Sequence, residues 1–251
     1  MRSLVRRTVV ATAVLVSTVA PLTACGGDDD KTITVLAASS LTGTFTELAD
    51  EFEKEHAGVK VKLAFDSSAT LAQQAAGGAP ADVLATADTA TMDSAKSVLS
   101  STPQDFATNV MVLVTPKDNP AGITKFADLN SGKVKYVVCV DTAPCGKVAA
   151  ALLAQDHVTA PPVSTEVDVK SVLARVTEGE ADAGIVYTTD AVAAGDSVKE
   201  IAIPGTAQQT TTYPIATLEQ SKEADLATQF VALVMSSQGQ QVLHDAGFGA
   251  P

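Results

Sequence analysis

Ser39 and Ser40 in LAASSLTGTF (36–45), and Ser67 and Ser68 in FDSSATLAQQ (65–74), each follow a strand-like run and open a segment of helical spacing. After the first pair, Leu41, Phe45, Leu48 and Phe52 mark one apolar helical face. A serine in that position has two uses. It can cap the helix by accepting a hydrogen bond from an orphan backbone N–H. It can also join the free N–H groups of the first turn in holding an anion. These residues alone leave both uses open, and Asp66 beside the second pair would repel an anion unless it points away. A third cluster, VVCVDTAPCG (137–146), holds Cys139 and Cys145, a close pair that reads first as a disulfide. A two-thiolate metal site is the alternative. It wants more clustered ligands than His56, His157 and His244, scattered along the chain, can offer. Nucleophilic serine chemistry lacks a G-x-S-x-G elbow and a histidine assignable to either serine pair.

Charge narrows the ligand further. The 251 residues carry 17 basic and 29 acidic side chains, a net −12, and the balance beyond residue 24 is −15. No basic face for nucleic acid is expected from such a chain. Beyond residue 24 the single arginine is Arg175, which argues against a bidentate arginine fork for amino acids or dicarboxylates. There is no tryptophan to stack on a sugar. Three tyrosines and three dispersed histidines are poor material for a ferric or zinc cage.

The first residues read as a targeting segment. Arg2, Arg6 and Arg7 precede an apolar stretch (9–20), the layout of a secretory signal peptide spanning 1–24. The closing LTAC (22–25) resembles a bacterial lipobox, which would make Cys25 the lipidated first residue of the mature chain. GGDDDK then completes a solvated tether over 25–31. The protein is thus expected outside the cytoplasm, held on the outer face of the cell membrane by that lipid alone.

Strand-like and helix-like segments alternate through the remainder. TITVLAA (32–38), VKVKLAF (59–65), ADVLATA (81–87), NVMVLVTP (109–116), residues 136–140, AGIVYTT (183–189) and the extended TTTYPIATLE are separated by helical patterns, and two helices close the chain. This predicts an α/β fold with a largely parallel, doubly wound sheet and helices on both faces. GGAPADVLATAD (77–88) and EGEADAGIVYTTD (178–190) echo each other: a small-residue turn, Ala-Asp, an apolar run and a closing Asp. Chance would explain so short an echo; two similar lobes would too. In doubly wound sheets ligands gather outside the carboxyl ends of the strands, where both serine pairs, the Pro-Cys-Gly turn and Tyr187 fall.

In this order and spacing, AASSLTGTFTELADEFEKE (37–55), FDSSATLAQQAAGGAPADVLATAD (65–88) and VDVKSVLARVTEGEADAGIVYTTDA (167–191), with the terminal GQQVLHDAGF (239–248), resemble the molybdate-binding proteins of ABC importers. The resemblance implies two doubly wound α/β lobes joined by a hinge, as in type II periplasmic binding proteins, closing on a tetrahedral oxyanion. By motif it assigns the Ser40, Ser68 and Tyr187 hydroxyls and the Cys145 and Val169 backbone N–H groups as ligand donors. Ser39 and Ser67 are neighbouring candidates. Molybdenum would be bound only as the oxyanion through these groups, with no resident cofactor and with molybdate or tungstate as the ligand. Lys147, one turn into the helix after Cys145, would bring a positive charge near the site.

Neutral donors suit such a cargo. They hold a dianion by charge-assisted hydrogen bonds, and a site of donors alone disfavours an anion that still carries a proton. The expectation is a monomeric, non-enzymatic binding component that serves an ABC permease and ATPase. Lobe I would comprise 32–112 and 213–251, and lobe II 113–212. A receptor for sulfate or another oxyanion is the nearest alternative, a secreted serine hydrolase a more distant one, and an adhesion or sensor module on the same fold a third.

Overall fold

The computed structural model describes residues 31–251; the expected signal peptide, Cys25 and the tether up to residue 30 lie outside the described residues. Lys31, expected in the tether, already belongs to the first strand, where its N–H donates to the Gly58 carbonyl.

In chain order the elements are β1 (Lys31–Ala38), a 3-10 turn (Ser39–Leu41), α1 (Thr42–Glu55), β2 (Val59–Asp66), α2 (Ser68–Ala76), β3 (Val83–Ala85), α3 (Thr89–Ser94) and β4 (Gln104–Asn109). The chain continues through β5 (Met111–Pro116), β6 (Tyr136–Cys139), α4 (Pro144–Gln155), β7 (Ser164–Glu166), α5 (Val169–Thr177), β8 (Ala183–Tyr187), α6 (Thr188–Ala194) and β9 (Val198–Ile201). It closes with β10 (Thr211–Thr217), α7 (Ala224–Met235) and α8 (Ser237–Asp245).

Among the described residues these strands form two five-stranded sheets, ordered β2-β1-β3-β10-β4 and β7-β6-β8-β5-β9. Neither sheet is parallel throughout. In the first, β10 runs against β3 and β4; in the second, β5 runs against β8 and β9. The reversed strands are the two by which the chain enters each sheet from the other. Only Val110 separates β4 from β5, so the change of sheet comes two residues before the expected boundary at 112. The return is complete at Thr211, again slightly earlier than expected, because β10 begins pairing with Asn109 there.

Both faces of the first sheet are covered. Ile33, Val35 and Ala37 of β1 pack with Phe45, Leu48 and Phe52 of α1 and Phe230 of α7, while Leu36 faces Leu71 and Ala75 of α2. The period of two along the strand and the wider apolar stripe along the helix meet at that interface. Burying each large side chain there stabilises by about 1.5–3 kcal/mol. The second sheet has a core of Val, Ile, Ala and Leu around Tyr136 and Phe126.

The sequence echo has a structural counterpart, since β3 and β8 are each the third strand of their sheet. Asp82 accepts a hydrogen bond from the Thr34 N–H (2.6 Å) and Asp182 one from the Lys135 N–H (2.8 Å). Their own N–H groups return to the Thr34 and Lys135 carbonyls, both at 2.8 Å. The repeated Ala-Asp therefore fixes the register of a strand against its neighbour at the same place in each lobe.

Candidate ligand-binding site

A small cavity of about 10 Å³ lies between the two sheets, at the carboxyl ends of their strands. That is roughly the room one water needs, so the closed site suits nothing larger than a small ion. Its wall brings together all seven residues singled out by sequence: Ser39, Ser40, Ser67, Ser68, Cys145, Val169 and Tyr187. Ala38, Ala87, Ala143, Pro144 and Asp168 complete it. The seven are between 1% and 7% exposed, so a ligand there would be enclosed by both lobes.

The wall is built from helix starts. The Ser39–Leu41 turn leads into α1, Ser68 opens α2, Pro144 and Cys145 open α4, and Val169 opens α5. The first N–H groups of a helix have no carbonyl partner within it and carry partial positive charge. An acidic residue in the first turn would normally use that charge, and none of these four helices has one.

The serines do not cap. Ser67 is the N-cap residue of α2, yet its side chain makes no cap hydrogen bond, and Ser39 and Ser40 provide none for α1. Asp66 turns to the backbone instead, accepting from the Ser67 N–H at 2.6 Å, and does not line the cavity. The Ser68 Oγ accepts the Ala87 N–H at 2.9 Å, which leaves its own proton free for the cavity. Thr211 holds Ala87 from the other side by donating to its carbonyl. The Ser40 Oγ lies 3.0 Å from the Tyr213 hydroxyl.

From the second lobe, the wall consists of the helix starts at Cys145 and Val169 and the Tyr187 phenol. Cys139 and Cys145 are joined by a disulfide, with Cα atoms 5.8 Å apart. Next to it, a Cβ on Gly146 would come 1.9 Å from the Val140 carbonyl oxygen, so only glycine permits this close β6–α4 turn. Proline at the first position of α4 suits a helix start that needs no N–H there. Asp168 caps α5 through the Ser171 N–H (2.8 Å), so its carboxylate is engaged although the residue lines the wall.

Tyr187 ends β8 and is 1% exposed, and its hydroxyl has no hydrogen-bond partner among the described residues. Burial pushes the pKa of that hydroxyl well above its ordinary value, which keeps the proton available for donation. The wholly buried Asp190 accepts the Tyr187 N–H at 3.2 Å and pairs with Lys170 at 3.0 Å. Burial raises the Asp190 pKa and Lys170 counters it. Through this pair Asp190 ties Tyr187 to the first turn of α5, where Val169 stands.

Lys147 does not line the cavity. Its ammonium pairs across the lobes with Asp88, the N-cap of α3, at 2.9 Å, and reaches the Thr91 hydroxyl at 3.5 Å. Arg175 is also elsewhere, bound to Glu166 (3.1 Å) and to Glu180. None of the three histidines borders the cavity; His56 stacks on Phe52 and bonds Gln229. Sequence reasoning missed Tyr213 and Asn109, which sit behind Ser40. No local pattern signals them, because their partners lie 80 to 173 residues away.

Residues 33–249 match the family described as bacterial extracellular solute-binding protein. The chain is 39% identical over 246 residues to the molybdate-binding protein ModA of Mycobacterium tuberculosis, covering 93% of this chain and 94% of that one. It is 34% identical to ModA of Escherichia coli, with coverage of 88% and 90%. Among solved structures, the substrate-binding domain of a putative molybdenum ABC transporter from Clostridium difficile superposes with a TM-score of 0.66 at 30% identity. That match covers 88% of this chain and 99% of that domain.

Proposed function

The chain belongs to the bacterial extracellular solute-binding proteins, and from that premise we propose that it binds molybdate, or tungstate, between its lobes for an ABC importer. The observation that carries this reading is the Tyr187 hydroxyl. It is a buried donor with no acceptor within hydrogen-bond geometry among the described residues, Tyr213 being the nearest hydroxyl, in a cavity otherwise furnished with serine hydroxyls and helix starts. Leaving such a group unsatisfied costs about 1–3 kcal/mol, and an oxyanion relieves that cost. Ser40, Ser68 and Tyr187 donate through side chains, Cys145 and Val169 through backbone, and Ser39 and Ser67 extend the hydroxyl wall. The protein acts without catalysis and without a resident cofactor, as a monomer. A lipid on Cys25 holds it outside the cytoplasm, beside the permease and ATPase it serves. Closure is absorbed at the two crossings between the sheets, near Val110 and Thr211.

Identity to named molybdate-binding relatives favours molybdate over sulfate. A serine hydrolase would need a base beside one of the serines, and no histidine borders the cavity. Titration calorimetry with molybdate, tungstate, sulfate and phosphate tests the reading. Molybdate and tungstate should bind much more tightly than sulfate, and phosphate weakest. Absence of molybdate binding would overturn it.

A further inference from the structure

We propose that Tyr213 and Asn109 form a polarised hydrogen-bond chain that compels Ser40 to donate toward the cavity, making this serine a reader of ligand protonation. The inference rests on the oxyanion reading above and assigns a role to two residues outside the cavity wall.

A serine hydroxyl has one proton and can accept as well as donate. For Ser68 the neighbour fixes one lone pair: the Ala87 N–H can only donate, so Ser68 accepts there and its proton is free to turn elsewhere. For Ser40 the partner is another hydroxyl, and either oxygen at 3.0 Å could be the donor. What lies behind Tyr213 decides it. The Asn109 Oδ1 accepts the Val110 N–H at 3.0 Å, which fixes the amide orientation. Its Nδ2 is then directed at the Thr189 hydroxyl (2.9 Å) and the Tyr213 hydroxyl (3.5 Å). Because Nδ2 only donates, the Tyr213 oxygen receives from Asn109; of the hydroxyls beside it, Tyr187 and Ser40, Ser40 at 3.0 Å is the one placed to take the Tyr213 proton. The Ser40 proton is left for the ligand. Tyr213 is fully buried and Asn109 3% exposed, so water does not compete for these bonds.

The chemical consequence concerns selectivity. A fully ionised oxyanion meets three hydroxyls that present protons, those of Ser40, Ser68 and Tyr187. An anion of the same size bearing an O–H meets another donor where that proton points at one of these three, and that hydrogen bond is lost. Without Tyr213 to polarise it, Ser40 could reverse and accept the ligand proton. Tyr213 and Asn109 are therefore positioning residues for Ser40.

The test is a double-mutant cycle with molybdate on the full chain. Tyr213→Phe keeps the ring contacts to Phe106, Tyr187 and Phe248. It should weaken molybdate binding by about 3- to 10-fold, the worth of one net hydrogen bond. In a Ser40→Ala background the same change should cost less than about 2-fold, because the two act through one bond. Asn109→Leu should show the same dependence on Ser40 and serves if Tyr213→Phe folds poorly. In competition against bound molybdate, hydrogen phosphate should gain on sulfate by about 10-fold in Tyr213→Phe, since these two anions differ chiefly in one proton. Equal losses with and without the Ser40 hydroxyl would overturn the proposal, as would an unchanged phosphate-to-sulfate ratio. Failure of the unmodified protein to bind molybdate would instead overturn the oxyanion reading and this inference with it.

Discussion

The two lobes share a strand plan but supply the cavity with different kinds of donor. The first offers hydroxyls on Ser39, Ser40, Ser67 and Ser68, and the second offers helix-start N–H groups at Cys145 and Val169 with one phenol. A hydroxyl can rotate, so its direction must be constrained by neighbours, as Ala87 does for Ser68. A backbone N–H cannot rotate, so its position must be imposed by the chain. The disulfide, Pro144 and the Gly146 contact do that for Cys145, and Asp168 does it for Val169. The cores differ in the same sense. The first lobe packs Phe45, Phe52, Phe106, Phe230, Tyr213 and Phe248 into an aromatic cluster beneath its serines. The second relies on smaller aliphatics and a covalent staple.

The largest effect that would break this contrast lies in the aromatic cluster. Phe230→Ala removes a fully buried ring that touches Phe45 and Phe52 edge-on, and should destabilise by about 3–5 kcal/mol in denaturant unfolding. A loss below about 1 kcal/mol would mean the cluster does not organise the first lobe. Next comes the staple of the second. Replacing Cys139 and Cys145 by Ala should lower stability by about 2–3 kcal/mol, the chain-entropy worth of so short a loop. Affinity should fall only modestly, since the Cys145 N–H survives. Two free thiols found by alkylation of the native protein would refute the bridge.

The donor types themselves are compared by ligand titration. On the proposed reading, Ser40→Ala, Ser68→Ala and Tyr187→Phe should each remove a hydrogen bond to a charged partner, worth about 1.5–3 kcal/mol or roughly 10- to 150-fold in Kd. Ser39→Ala and Ser67→Ala are expected to cost less, and Arg175→Ala, distant from the cavity, to leave affinity unchanged. If Arg175→Ala abolished binding and the serine variants did not, the anion would be held elsewhere. The smallest effect belongs to the bridge between lobes. The partly exposed Lys147–Asp88 pair is worth at most about 1 kcal/mol, so Lys147→Ala should weaken binding less than about 5-fold, with the difference shrinking in high salt. A salt-independent loss would point to direct ligand contact.

The helices and the strand ends that carry the site were readable from sequence, because buried strands and amphipathic helices write their periodicity plainly. Strands β4, β7 and β9 were not. Each is an edge strand, and residues such as Gln104, Asp105, Ser164, Lys199 and Glu200 face water, so the apolar alternation is diluted. The reversed direction of β5 and β10 was equally hidden, since it follows from where the chain re-enters a sheet and not from any local pattern. The echo around Asp82 and Asp182 was visible, but its meaning was not until both carboxylates were seen to grip a neighbouring strand. Of the site, the wall residues were legible through a resemblance in ordered motifs. The polar chain from Asn109 to Ser40 was not, because it joins elements far apart in sequence. The choice between capping and ligand binding for the serines likewise needed coordinates: N-cap position alone did not reveal that no serine of the wall caps.

The enclosure of the cavity has a kinetic corollary. With every wall donor at most 7% exposed, an occupant can leave only when the lobes part. Dissociation then contains a protein opening step common to every occupant, and residence time is bounded by that motion even for an anion that makes fewer bonds. A cargo that makes more bonds holds the lobes together longer, so differences in affinity are expressed mainly in how slowly they open. A transporter that docks on both lobes and draws them apart would act on the one step no cargo can bypass.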